Sequence, residues 1–199
     1  MAQTARMNPA FLPEPPQGPA AKAAYEDDLA ADGYVNNLTR VWCWRPDVLM
    51  SFQNTRTGLL SESTLSSREV AVLVAATAAA RGDSYCALAW GARLAGMSDE
   101  TTAAAVLRGT EADLSERETA LADWSRRVVT DPNATIEADT QRLRDAGLSD
   151  REIFEATTLI AFRLAFSTVN DALGARPDAQ LAEKAPRLIR EAVTFGRPV

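Results

Sequence analysis

The chain has 199 residues, 46% of them hydrophobic, which is enough to bury a sizeable core as one domain or as two small fused repeats. Its formal net charge is −6 and no basic run is present, so neither nucleic acid nor an anionic membrane surface is expected as a partner. It contains two cysteines and no histidine, which excludes histidine metal sites, imidazole acid–base catalysis and Ser-His or Cys-His pairs, and no metal or other cofactor is expected.

The predicted elements begin after a proline-rich start. Residues 1–19 contain five prolines, and because proline cannot continue a helix this stretch predicts an extended N-terminal arm. Over residues 20–180 the apolar residues follow a helical spacing and no run alternates as a strand would, so an all-α domain is predicted, followed by a C-terminal tail at 181–199. No apolar run approaches the roughly 18 residues that span a membrane and no secretion signal is recognised, so a cytoplasmic location is expected.

Three helix starts are marked by a serine followed three residues later by a glutamate. This is the capping-box pattern, in which the two side chains satisfy free backbone N–H groups at the start of a helix. The three serines are Ser66, Ser115 and Ser149. Glycines suited to end helices follow at Gly82, Gly109, Gly147 and Gly174.

An internal repeat accompanies these starts. The motif Leu-Ser-x-Arg-Glu at 65–69 recurs at 114–118, an offset of 49 (114 − 65). The motif Gly-x-Ser-Asp at 96–99 returns at 147–150, an offset of 51 (147 − 96). The recurrence predicts a duplicated helical unit, with one copy at 65–108 and the other at 114–174.

The block 65–96 is the most distinctive part of the chain. One helix opens at Leu65 and ends at Gly82, and a second begins at Asp83-Ser84-Tyr85-Cys86. This layout resembles the core of the alkylhydroperoxidase D and carboxymuconolactone decarboxylase superfamily, most closely its peroxidase-related branch, and the match extends over about residues 34–178. The resemblance implies an alkylhydroperoxidase D-like helical bundle with two similar helical halves, assembled as a homo-oligomer (a dimer, trimer or hexamer).

The redox motif of that family is degenerate here. In the family the second helix opens with Cys-x-x-Cys and carries a histidine four residues after the second cysteine. Asp83 stands at the first cysteine position, Cys86 at the second and Trp90 at the histidine position. The family's relay glutamate would fall at Ala71, while Glu69 is assigned to a capping box.

Cys86, Tyr85 and Asp83 are the candidate catalytic residues. Cys86 lies in the first helical turn, where free N–H groups and the helix dipole favour a thiolate. Asp83 opposes ionisation as a nearby like charge, and Arg93 on the same helix face could offset it. Two interpretations of Cys86 stay open, a reactive thiol and an inert buried one. Tyr85 is either a proton donor to a ligand or a packed aromatic with a satisfied hydroxyl.

The candidate substrate-binding residues are aromatic or cationic. Trp44 and Trp90 stand where family members often have histidine, and two indoles in place of two imidazoles predict a drier, aromatic pocket. Arg163, among aromatic neighbours, is either part of a solvated face or an anchor for a carboxylate substrate. The remaining expected lining residues are Arg93, Trp42, Phe162 and Phe166.

Three functions are compatible with these residues. The favoured one is a cofactor-free enzyme of the decarboxylase, lyase or isomerase type, acting on a small apolar or aromatic molecule with Cys86, Tyr85 or Asp83 as proton donor or base. The second is a one-cysteine peroxidase that oxidises Cys86 to a sulfenic acid resolved by an external thiol. The third is a non-catalytic binding or scaffold homologue.

Overall fold

The structure is a computed structural model that describes residues 10–197. Within that range it is all-α, as predicted, with no β-strand. A single 3-10 turn lies at Pro132–Ala134. The helices are α1 Pro19–Ala31, α2 Asn37–Trp42, α3 Pro46–Ser61, α4 Ser67–Arg81, α5 Ser84–Met97, α6 Glu100–Arg108, α7 Glu116–Thr130, α8 Glu137–Asp145, α9 Asp150–Ala172, α10 Ala179–Lys184 and α11 Arg187–Ala192.

All three predicted capping boxes form. The hydroxyls of Ser66, Ser115 and Ser149 accept the backbone N–H three residues later, and the glutamate at that position accepts the serine's own N–H. Each box satisfies two backbone donors that the first helical turn leaves free. Local sequence therefore sets where α4, α7 and α9 begin.

Helix α4 is the central element of the bundle. Its residues 71–76 are at most 1% exposed, and it packs against α5, α6, α7 and α9. Alanine and valine dominate this stretch, so neighbouring helices can approach it closely on all sides. One apolar cluster joins α4 to α5, α6 and α11, and a second joins it to α7 and α9.

The repeated Leu-Ser-x-Arg-Glu motif joins α4 to α7 by exchanged ion pairs. Arg68 Nε lies 2.8 Å from Glu118 Oε1, and Arg117 Nε lies 2.7 Å from Glu69 Oε1. Each arginine thus pairs with the capping glutamate of the other copy. The two helix N-termini are held side by side as a result, which fixes how α4 and α7 pack.

The ends of the described chain are packed against the bundle. The predicted extended arm is described from residue 10, and its residues 10–18 contain no helix; the Phe11 N–H donates to Leu173 O at 2.9 Å. The segment expected as a tail, 181–199, differs from that expectation over its described part, because α11 packs on α5 and α6. Ile189 is fully buried there, and a Cβ added at Gly91 would lie only 3.0 Å from its Cγ2. The apolar stripe of this short helix buries against the bundle instead of remaining in solvent.

Replacing Ile189 by alanine is expected to destabilise the protein by about 3 kcal/mol, since it removes fully buried methyl groups and leaves a cavity. Arg187→Ala on the same helix is the control. It removes only an exposed pair with Glu191 and should cost about 0.5 kcal/mol or less. Guanidinium denaturation of both variants measures the difference; equally small losses would mean that α11 is not packed in solution.

No helix within residues 10–197 is both long and apolar enough to cross a lipid bilayer. The cytoplasmic location stays a prediction.

Candidate functional site

The first turn of α5 is built around Asp83 and Cys86. Asp83 is the N-cap residue, and its Oδ1 accepts the Cys86 backbone N–H at 2.9 Å. The other oxygen, Oδ2, accepts the Ser167 hydroxyl from α9 at 2.5 Å. Asp83, Cys86 and Ser167 are all buried. The helix cap is therefore part of a closed polar cluster between α5 and α9.

Arg163 of α9 completes the surroundings of the thiol. Its Nη2 donates to Cys86 Sγ at 2.7 Å, and the arginine is only 5% exposed. The thiol in turn makes a side-chain hydrogen bond to Asp83. Cys86 thus lies between a buried cation and a buried carboxylate.

Burial raises the pKa of the Cys86 thiol to about 12. The positive charge of Arg163 opposes this rise, whereas the negative charge of Asp83 and the thiol's hydrogen bond to it add to the rise. Desolvation disfavours a thiolate more strongly than the adjacent cation stabilises it. At neutral pH the residue is a protonated thiol.

Trp90 lies on the same face of α5 as Cys86, and two arginine guanidinium groups lie over its ring. The guanidinium carbon of Arg93 is 4.8 Å from the Trp90 ring centroid, and that of Arg163 is 5.8 Å from it. Arg93 was expected to face Cys86 and offset the charge of Asp83; it stacks on Trp90, and Arg163 is the cation at the sulfur. The reason is that α9 brings its own arginine into the space beside the thiol.

An aromatic cluster from α2, α3 and α9 adjoins this site. Phe166 stacks on Trp42 with centroids 5.1 Å apart and on Phe52 at 5.6 Å, and Phe162 meets Phe52 edge-on at 5.8 Å. The Arg163 guanidinium lies 5.0 Å from the Phe166 centroid. The Arg163 guanidinium therefore contacts both the Cys86 thiol and this aromatic cluster.

Arg56 of α3 is a further cation near the site. Its Nε is buried and has no hydrogen-bond partner within residues 10–197. Burial lowers its pKa, and the positive charges of Arg163 and Arg93 lower it further. Nothing in the polar stretch Gln-Asn-Thr-Arg-Thr around Arg56 distinguishes it from a surface arginine, so it could not be identified from the sequence.

Two predicted site residues point elsewhere. The Tyr85 hydroxyl donates to the buried carboxylate of Asp178, and burial together with the charge of Asp178 raises its pKa. Trp44 is 42% exposed, and its Nε1 donates to Pro13 O at 3.2 Å. Neither side chain has a contact with the thiol cluster among the hydrogen bonds and ring contacts of residues 10–197; Trp42 occupies the aromatic position expected of Trp44.

A cavity of about 450 Å³ lies between the C-terminal end of α4, the last turns of α9 and residues 196–197. Asp171, one turn beyond Ser167 on α9, lines it together with Arg81 and Arg197. Burial raises the pKa of the Asp171 carboxyl to about 6, and the negative charge of Asp83 contributes, while the two arginines oppose the shift. The Asp171 carboxyl therefore interacts electrostatically with Asp83, the N-cap residue of α5.

Within residues 10–197 no group of three or more His, Cys, Asp or Glu side chains could hold a metal ion. A larger cavity, of about 760 Å³, lies between α7 and α8 and is lined by none of the residues around Cys86.

Several solved structures have this fold. An uncharacterized peroxidase-related protein from Silicibacter sp. TM1040 superposes with a TM-score of 0.79 at 23% identity, over 90% of this chain and 97% of that chain. An uncharacterized peroxidase-related protein with an alkylhydroperoxidase AhpD core, from Ralstonia eutropha JMP134, gives a TM-score of 0.78 at 25% identity, over 86% and 94%. A variant of the debrominase Bmp8, in complex with 2,3,4-tribromopyrrole, gives 0.70 at 16% identity, over 86% and 94%.

The sequence matches no protein-family model and no curated protein. The structural neighbours are alkylhydroperoxidase D-like helical proteins, so both the predicted resemblance and the predicted fold are confirmed.

Proposed function

We propose that this chain, which has the alkylhydroperoxidase D-like fold, is a divergent, cofactor-free protein of that superfamily that binds a small planar aromatic or apolar molecule and transfers protons to or from it. Asp83 and Trp90 in place of the family's first cysteine and histidine remove its redox relay. The proposal rests mainly on one observation. The Cys86 thiol lies between the buried side chains of Arg163 and Asp83, and an aromatic cluster adjoins Arg163.

The state of the thiol favours proton transfer over peroxide reduction. A peroxidase needs a thiolate as its nucleophile, and a thiol whose pKa is raised to about 12 holds its proton at neutral pH. Such a thiol can still protonate a carbanion or enolate, which is a much stronger base than a thiolate. In that step the S–H bond breaks, a C–H bond forms on the ligand, and Arg163 stabilises the thiolate left behind.

The thiolate formed in this step is strongly basic, so water can return its proton. Asp171, whose pKa is raised to about 6, has no hydrogen bond to the thiol cluster within residues 10–197 and has no part in the step. Tyr85 is left out of this scheme, because its hydroxyl is bonded to Asp178. Asp83 acts as the acceptor that orients the thiol.

The aromatic cluster supports a planar ligand. Phe52, Phe162, Phe166 and Trp90 are only half-buried, so part of their apolar ring surface is left for contact with a ring of similar size. The debrominase Bmp8, on a similar fold, was solved with a brominated pyrrole, a planar aromatic molecule. That protein is only 16% identical, so the parallel concerns the fold.

Binding and proton exchange of neutral aromatic probes test the proposal. Phenol and indole are expected to bind measurably by calorimetry, and a bound carbon acid should gain deuterium in D2O by mass spectrometry. Cys86→Ala should keep the binding and lose the exchange, whereas Cys43→Ala, at the other buried thiol, should keep both. Binding without exchange in the unmodified protein would favour the non-catalytic homologue; rapid oxygen addition to Cys86 by peroxide would favour the peroxidase.

We also propose that the protein is a homo-oligomer. Large apolar side chains are exposed on α9 and α3, including Phe154 at 69% and Met50 at 55%. Exposed apolar side chains of this size are typical of surfaces between subunits. Sedimentation velocity should give a mass of two or more chains, and a monomer at micromolar concentration would contradict the proposal.

A further inference from the structure

We infer that Arg56, Arg93 and Arg163 form a carboxylate-binding site, so that the aromatic ligand of this protein carries a carboxylate group. The inference rests on the proposed function, because it assigns the anionic end of the same ligand. The three arginines come from α3, α5 and α9; Arg93 and Arg163 lie over the Trp90 ring, and Arg56 is close enough to both for their charges to lower its pKa.

The three cations lack the carboxylate partners that other arginines of this protein have. Within residues 10–197, none of the three forms an ion pair, whereas Arg68, Arg117, Arg127, Arg142, Arg144 and Arg151 do. The chain has 27 acidic and 21 basic residues, so carboxylates are in excess, yet none of them pairs with these three arginines within residues 10–197. The nearest carboxylate of the cluster, Asp83, is occupied by Ser167, the Cys86 N–H and the Cys86 thiol.

A second observation, made on Arg56, supports the carboxylate site independently of the missing ion pairs. Its Nε is buried without a hydrogen-bond partner in the described chain, although a buried donor left unsatisfied costs free energy. Its charge also repels those of Arg93 and Arg163. An arrangement that is unfavourable in the free protein becomes favourable when an anion enters it, as expected of a binding site rather than of a structural element.

The surroundings select a planar carboxylate joined to a ring. Guanidinium groups bind carboxylates through paired N–H donors in one plane. Arg93 and Arg163 both lie within 6 Å of the Trp90 centroid, and Arg163 also lies 5.0 Å from the Phe166 centroid. A ligand whose ring packs on this aromatic surface therefore presents its carboxylate to the three arginines.

Benzoate and its neutral analogue benzamide test the inference by calorimetry on the full chain. Benzoate is expected to bind about tenfold more tightly than benzamide, because charge-assisted hydrogen bonds replace neutral ones. Arg56→Gln should remove that difference and leave benzamide binding unchanged. Arg108→Gln, at an exposed arginine of α6, is the matched control and should leave both affinities unchanged. The thermal midpoint of the free Arg56→Gln protein should not fall, because the substitution removes repulsion.

Each contrary outcome has a distinct meaning. Equal binding of benzoate and benzamide would overturn the carboxylate site and leave the proposed aromatic ligand standing, whereas binding of neither would overturn both. Displacement of benzoate by equimolar inorganic phosphate would reassign the site to phosphate and overturn the inference. Dissociation of an oligomer by Arg56→Gln, without benzoate binding to the unmodified protein, would assign the arginines to a carboxylate of a second copy and overturn it as well.

Discussion

Alkylation of Cys86 by iodoacetamide, in a Cys43→Ala background, is expected to be at least about thirtyfold slower at pH 7 than alkylation of free cysteine. A pKa raised to about 12 lowers the thiolate fraction by about a thousandfold, and the greater nucleophilicity of the more basic thiolate recovers roughly 15- to 30-fold. The rate should rise with pH without a plateau below about pH 11. Intact mass spectrometry over a pH series measures it.

The substitution Asp83→Asn separates two causes of the raised pKa of the Cys86 thiol, the charge of Asp83 and burial. Asparagine keeps the helix cap but removes the negative charge that raises the thiol pKa, so alkylation should become faster. Burial is the largest contribution and is unchanged, so the rate should stay below that of free cysteine. A Cys86 thiolate already abundant at pH 7, and quickly oxidised by peroxide, would make the one-cysteine peroxidase the better description of the protein.

Arg117→Leu is expected to lower the free energy of unfolding by about 2–3 kcal/mol, because it leaves two largely buried carboxylates without their partly buried cationic partner. Arg117 contacts Glu69 Oε1 at 2.7 Å and Glu152 Oε1 at 2.8 Å, and both carboxylates are largely buried. A protein of this size should lose about 6–10 °C in thermal midpoint. Arg144→Leu, which breaks only an exposed pair with Asp150, is the control and should cost less than about 1 kcal/mol.

The same substitution should change the response to acid. Burial by itself would raise the pKa of Glu152, but hydrogen bonds from Ser149, Arg117 and Thr64 outweigh it and lower the pKa to about 2. A carboxyl whose pKa is lower in the folded state stabilises the protein above its ordinary value of 4.5, and this stabilisation is lost as the pH falls toward 2. Stability of Arg117→Leu should fall less steeply over that range; an unchanged slope would mean that Arg117 does not set the pKa.

Features encoded within a few residues could be predicted from the sequence. The capping boxes at Ser66, Ser115 and Ser149 involve partners three residues apart, and their glutamates are recognisable wherever the helix starts. The helical periodicity is similarly local and predicted an all-α chain, whereas the alkylhydroperoxidase D-like bundle was implied by the resemblance of residues 34–178 to that superfamily. The 199 residues contain no histidine, so imidazole acid–base catalysis by these residues was excluded from the sequence.

The partners of the site residues were decided by the tertiary structure. Arg163 lies 77 residues from Cys86 along the chain, and Tyr85 lies 93 residues from Asp178. Position on α5 suggested Arg93 as the cation near the thiol. The packing of both α5 and α9 against α4 instead brings Arg163 to the thiol, and the packing of α3 against α9 adds Arg56. A helix fixes the direction of its own side chains, whereas the contacts between helices depend on the packing of the whole bundle, which no local pattern contains.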